Sequence, residues 1–538
     1  MIQNYKRNLF FILLLAIGAA SCNKQLDLES SAAAGSEQMW NTYDDARAGL
    51  NGIYGLARAA LANNNAHWMY GELRAGDFAA TVPGGYIDAI IKNELNKSFP
   101  EIEELTDWRR FYAAIDACNT FIKYSPECLK DMRYSRLNNK VDIAQAHLMR
   151  AFIYFYISRI WGDVPLVTNA TTEGVNVSLA RTPQREVLDF CIRDIKQYLD
   201  SLPTEYGNDD RSKLNYDGPY YGKTWGQLGN TYWGYWQAIA LMAHIYGWIG
   251  DYVSMETYTK LILNNLSQAR TGPIGYANAQ AYLSGTTQSI FYDKGIVGGN
   301  CYQLLSFPYN MANRESGPSG VGHIESLSLA SPYLPKLRPD IYMTRDTIDR
   351  LFYSVTDLRH PYDQLKQNYE SVYFTDYFGA IPIFSKFKTI APGATGFSIF
   401  GSCIPLSRYE DILLLDAEVE YVKGIAPGTV NSKMEAVRMQ RFTNGYANNL
   451  RPLGSGGPVY EPTPESQENG QLWNIFRERR IELMGEGYNW FDLIRYKKLT
   501  GDDPAFNKLI EEGGIYWPIS QRVIDKNPLI EQNPYWKK

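Results

Sequence analysis

At 538 residues, 45% hydrophobic and 21% charged, with a net charge of −5, the chain has an ordinary globular composition and lacks the basic excess that holds nucleic acid. Six cysteines without a Cys-x-x-Cys pair and five scattered histidines (His67, His147, His244, His323, His360) argue against a zinc site or any other metal cluster. The unusual feature is the aromatic content, 40 Tyr, 12 Trp and 22 Phe; rings with an apolar face and a polar tip suit wet interfaces and stacking on sugars.

The first residues read as a targeting segment. Lys6 and Arg7 make a charged start, Leu9 to Ala20 an apolar run, and Ala19, Ala20 and Ser21 lead to Cys22, so residues 1–21 are predicted to be a signal peptide. A Cys directly after a small-residue cleavage site resembles the lipobox of bacterial lipoproteins, with Ala19 where Leu is usual. That resemblance implies diacylation of Cys22, and two or more acyl chains anchor a protein stably without a membrane span. The other reading is a simple secretory signal followed by an incidental Cys. Residues 22–35 are polar and Ser/Ala-rich, as in a flexible tether, and residues 36–538 are expected to form one domain. Among the later cysteines, Cys118 and Cys128 either pair or, like Cys191, Cys301 and Cys403, stay buried thiols.

The body shows helical spacing from the start, with Trp40, Tyr43, Ala46, Leu50, Ile53, Tyr54 and Ala57 on one face. Helix pairs then recur: Ile143–Ile160 with Gln184–Leu202, Trp233–Ile249 with Tyr252 to about Leu266, Tyr409–Val422 with Asn431–Phe442, and Gln471–Met484 with Tyr488–Lys498. Each has an Ala-rich, ring-bearing first helix, a Gly-containing turn and a second helix. This resembles the tetratricopeptide pair, in which small residues let helices approach and rings fill the gaps. The fold class is therefore mostly α, a scaffold of about four helix pairs carrying long loop-rich insertions. Thr231–Gly250 is long and charge-free enough to span a bilayer, but its Trp and Tyr residues run throughout its length instead of clustering at the ends, so it reads as a buried helix.

From about residue 274 to 402 the texture changes to Gly, Pro, Ser, Tyr and Asn, and helical period fades, with a short helix expected within Ile341–Tyr353. Loops on a rigid frame are the usual seat of binding. Near the C-terminus, Glu478, Glu482 and Glu486 stack four residues apart, a stripe of like charges that must be neutralised, with Arg479, Arg480 and Arg495 the evident candidates. Carboxylates so spaced fit an acid/base or metal role or a structural ion-pair lattice; with no His or Cys beside them the lattice is the better reading.

The same stretch carries a family pattern. Glu478-Arg479, Glu482-Leu483, Glu486-Gly487, Trp490-Phe491-Asp492-Leu493 and Arg495 resemble the SusD/RagB family of Bacteroidetes surface lipoproteins, with Asn489 where the family often has Arg. Arg150-Ala151 running into Gly162-Asp163, and the ending Tyr516-Trp517-Pro518-Ile519-Ser520 with Asn527-Pro528 and Gln532-Asn533-Pro534, resemble it too. The resemblance implies a SusD-like fold and a non-enzymatic, cofactor-free protein, held at the outer membrane by its lipid and facing the exterior. Such a protein captures oligosaccharide and delivers it to a SusC-like TonB-dependent transporter met by the tetratricopeptide face. By loop position, Trp68, Tyr86, Tyr292, Tyr302 and Tyr309 are the expected stacking platforms, with Asp77, Asn310 and Arg314 as polar partners. Two alternatives stand beside this reading: a peptide-capturing RagB-type lipoprotein, and a glycan-degrading enzyme using paired carboxylates. Against the enzyme, no Gly-x-Ser-x-Gly, His-Glu-x-x-His or phosphate-binding loop occurs.

Overall fold

The computed structural model describes residues 39–171, 178–206, 220–222, 232–274, 291, 303–311, 313–316, 320–352, 357–362, 367–392, 398–441 and 464–537. The expected signal peptide, tether and lipidated Cys22, together with Tyr292, Cys301 and Tyr302, lie outside the described residues.

The N-terminal half is helical: α1 (Tyr43–Ala62), α2 (Ala66–Gly71), α3 (Tyr86–Ile91), α4 (Pro100–Thr106), α5 (Arg109–Tyr124), α6 (Arg136–Trp161), α7 (Gln184–Tyr198), α8 (Tyr235–Ile249) and α9 (Tyr252–Leu263). In the insertion follow α10 (Glu325–Ser328) and α11 (Arg345–Leu351), and after it α12 (Tyr409–Val422), α13 (Pro427–Met439), α14 (Pro464–Glu482), α15 (Asn489–Thr500), α16 (Pro504–Glu511) and α17 (Gln521–Lys526).

Local chemistry sets the boundaries. Helix α1 starts at Thr42, whose hydroxyl accepts from the Asp45 amide while the Asp45 carboxylate accepts from the Thr42 amide, a reciprocal cap. Helix α6 begins earlier than its periodicity suggests, behind the Ser135 cap, and ends at Gly162 with φ of 76°. The Asp163 carboxylate then accepts from the Gln184 amide (2.8 Å) and so seats the start of α7. Helix α8 ends the same way, at Gly250 (φ 83°), and Asp251 caps α9 through the Ser254 amide (3.0 Å). Packing joins α6 to α7, α8 to α9, α12 to α13 and α14 to α15, the four expected pairs, while α1 lies on α5 and α6. The charge-free run is helix α8, buried on most sides; no helix of the described residues is long and apolar enough to cross a membrane.

The insertion is built of two-stranded antiparallel ribbons. Strand β1 (Ala79–Ala80) pairs with β3 (Ile341–Tyr342), β2 (Gln303–Phe307) with β8 (Ile404–Arg408), β4 (Phe374–Thr375) with β5 (Ile383–Phe384), and β6 (Ile390–Pro392) with β7 (Ser398–Phe400). The β2–β8 ribbon brings the two ends of the insertion together at the start of α12. One hydrophobic cluster runs through the scaffold from Trp40 to Ile530. Cys118, Cys128, Cys191 and Cys403 are buried free thiols, so Cys118 and Cys128 do not pair.

The carboxylate stripe is neutralised, but not by the arginines beside it. Glu478 accepts from Arg359 and Arg438 (2.9 Å each), Glu482 from Arg441 (2.7 Å) and Arg359 (3.0 Å), and Glu486 from Lys386 (2.7 Å) and Arg408 (2.8 Å). These cations come from the insertion, from strand β8 and from the third helix pair. Consecutive helix residues point about 100° apart, so Arg479 and Arg480 face elsewhere. Arg479 holds Asp411 and Asp492, Arg480 holds Asp77, and Arg495 holds Asp492 and Glu418. Burial alone would push Glu482 up, yet Arg441, Arg408 and Arg359 hold its carboxyl below the usual range.

Candidate functional site

The expected site residues among those described do not form one surface. Trp68, on α2, is 1% exposed, and its indole N–H donates to the Gly485 carbonyl (2.9 Å); it offers no ring face to a ligand. Asp77 is buried between Arg480 and the Asn489 amide nitrogen (3.0 Å), an ion-pair role and not an exposed polar one. Tyr309 is buried as well, its ring 4.3 Å from that of His323 and covered by the Arg58 guanidinium at 4.6 Å. Asn310 and Arg314 lie beside it in a tight turn: the Asn310 side-chain oxygen accepts from the Asn313 amide (3.1 Å), and Arg314 is exposed. Tyr86, the first residue of α3, is half-buried against the core.

A different set of rings reaches the surface. Tyr362, Tyr369, Tyr377 and Phe378 meet on the insertion: Tyr369 stacks on Tyr377 (centroids 5.4 Å, 15° between planes) and meets Tyr362 (5.1 Å) and Phe378 (4.4 Å) edge-on. Phe378 is 68% and Tyr369 38% exposed, which leaves two rings of this cluster open to solvent. Large apolar side chains so exposed and so clustered mark a contact surface.

Short local devices hold the cluster in place. The Tyr377 hydroxyl donates to Asp349, and the Arg345 guanidinium donates to the Tyr377 carbonyl (2.8 Å) and to that of Gly379, so α11 props the turn at 376–379 from behind. Burial pushes the Tyr377 phenol up and its bond to Asp349 adds to this, so it stays a neutral donor. Asp376 takes a positive φ (51°), and a side chain at Gly379 would run into the Asp376 carboxylate. Beneath the outer rings, Tyr373 and Phe374 are fully buried and root the segment in the core. The next residue along α11, Arg350, lines a cleft of about 350 Å³ between α11, α14 and α15. Among the described residues no group of three or more His, Cys, Asp or Glu side chains is placed to hold a metal ion.

The SusD family profile matches residues 386–508, and a profile described as "starch-binding associating with outer membrane" matches residues 39–215. The crystal structure of a SusD superfamily protein from Bacteroides thetaiotaomicron VPI-5482 is 36% identical, covers 93% of this chain and 100% of its own, and superposes with a TM-score of 0.79. The chain belongs to the SusD family. SusD-like protein P38 of Formosa agariphila is 27% identical across 98% of both chains. A protein described as a laminarin-binding SusD-like protein shares the fold (TM-score 0.61, 17% identity, 92% of this chain and 100% of that one). In this SusD-family chain the diagnostic motif is the buried ladder and the turn that follows it: the Gly485 and Gly487 amides donate to the Glu72 carboxyl (2.8 and 3.0 Å), and the Asn489 amide joins them (2.7 Å). Where the family pattern carries Arg, Asn489 therefore bridges Glu72 and Asp77, and Arg480 supplies the guanidinium to Asp77.

Proposed function

We propose that this chain captures oligosaccharide at the cell surface through the ring cluster of Tyr362, Tyr369, Tyr377 and Phe378, and passes it on without cleaving it. The observation that carries this reading is the pair of exposed rings on a loop segment whose base is fixed by α11 and by buried Tyr373 and Phe374. A rigid, half-exposed aromatic surface stacks on the apolar face of a sugar and loses little conformational freedom on doing so. Support also comes from the starch-binding description of the matching profile and from the laminarin-binding relative of the same fold. Acylation of Cys22 would tether the protein to the outer membrane, and the receiving partner would be a SusC-like TonB-dependent transporter.

A glycan array followed by calorimetry on the purified chain tests this. The double substitution Tyr369→Ala with Phe378→Ala is expected to weaken oligosaccharide binding about tenfold or more without lowering the melting temperature. Unchanged affinity in that variant removes the ring cluster from the site. Binding of peptides with no binding of glycans replaces the reading by peptide capture, and release of new reducing ends replaces it by catalysis.

A further inference from the structure

The cleft between α11, α14 and α15 has a lining unlike that of the ring cluster. Among the described residues its lining holds three arginines, Arg350, Arg477 and Arg480, and one acidic residue, Asp492. That carboxylate is already engaged by Arg479 (2.8 Å) and Arg495 (2.9 Å), which lie outside the lining. Arg477 donates to the Leu351 carbonyl (2.7 Å), and Arg480, although it holds Asp77, keeps 38% of its side chain exposed. Arg350 is exposed and donates to no group among the described residues. Asp77 neutralises Arg480 as Arg479 and Arg495 neutralise Asp492, so the exposed positive charge that the lining offers comes from Arg350, beside apolar walls that concentrate its field.

Two further features narrow what fits. Trp473 and Tyr496 are half-buried rings of the same lining, able to lie against a flat or ring-shaped ligand. Asn489, of the same lining, is 4% exposed and spends its amide hydrogens on Glu72 and Asp77, so it keeps no N–H for a ligand.

We infer that this cleft is a binding site for an acidic sugar unit, with the carboxylate or sulfate ester held by Arg350 and the ring against Trp473 or Tyr496. A volume of about 350 Å³ is at the small end for a ligand pocket and suits the end of a chain more than its middle. The inference rests on the lining of the cleft and is independent of the ring cluster.

Calorimetry on the purified chain with three probes tests it: digalacturonic acid, a sulfated galactose and neutral lactose. At least one acidic probe is expected to bind, with affinity falling as salt rises, and lactose more weakly or not at all. Arg350→Ala and Trp473→Ala should each weaken the acidic probe about tenfold, Arg350→Lys should recover part of the loss, and Phe378→Ala should leave it unchanged. Arg350 is exposed, so its substitution leaves the core intact, which a melting curve verifies. Which acidic probe binds identifies the anionic substituent. Equal affinity for lactose, no binding of either acidic probe, or an Arg350→Ala variant with wild-type affinity would overturn the inference. So would loss in Phe378→Ala alone, which would put the acidic sugar on the ring cluster instead.

Discussion

Glu325 shows what a single enclosed carboxyl does to this protein. It sits on α10, fully buried, and burial pushes its carboxyl up to about 7 from 4.5, with the Ser402 hydroxyl pulling the other way. The folded state then holds this proton more tightly than the unfolded chain, so raising the pH from 4.5 to about 7 withdraws stability. Glu325→Gln, which keeps the shape and removes the titration, should gain melting temperature relative to the parent across that interval and hold a constant difference above it. Melting curves from about pH 5 to about pH 8 check this, and a difference that does not change with pH would contradict it. At this scale the sequence was only partly legible. Aromatic side chains are so frequent here that loop position does not separate the buried Trp68 and Tyr309 from the open Tyr369 and Phe378. The segment 369–378 alternates between exposure and burial with no regular period, because its direction is set by a turn and by Arg345 from a different part of the chain.

Among the elements, α2 acts as the seat of the last helix pair. Trp68 donates to the Gly485 carbonyl, a His67 ring nitrogen lies 2.9 Å from the Glu486 carbonyl, and Glu72 accepts from the Gly485 and Gly487 amides. Such contact requires a bare backbone at Gly71, where an added Cβ would stand 2.0 Å from the Gly487 carbonyl oxygen. Since that neighbour is backbone and cannot swing aside, Gly71→Ala should cost about 1–3 kcal/mol or more, read as a lower urea midpoint at unchanged slope. A wild-type midpoint would mean that the seat yields. Helix pairs were the most legible level of the structure, because small residues and rings at helical spacing report packing directly. Their ends were less so: α9 stops at Leu263, short of about Leu266, and α13 starts at Pro427 in place of Asn431, since caps and a proline at the first turn decide where a helix stops or starts.

Across the whole molecule, the carboxylate ladder ties together segments that are remote in sequence. Arg359 and Lys386 come from the insertion, Arg408 from strand β8, Arg438 from α13, and Arg441 follows it, all converging on Glu478, Glu482 and Glu486. Glu482→Ala should therefore destabilise by about 3–5 kcal/mol, because buried guanidinium groups lose their counter-charge. Oligosaccharide affinity of the folded fraction should not change; lost binding at an unchanged melting temperature would contradict this. The stripe itself was visible in the sequence and its partners were not, since spacing along one helix says nothing about which distant loop folds back upon it.

The ladder also fixes an order of events. A ribosome releases the five cations before it releases Glu478, Glu482 and Glu486, so the middle of the chain emerges with only Asp357 and Glu410 to pair Arg359, Arg408 and Arg441. Domains usually settle from the N-terminus as they are made; here the middle of the chain must wait for its final hundred residues or so.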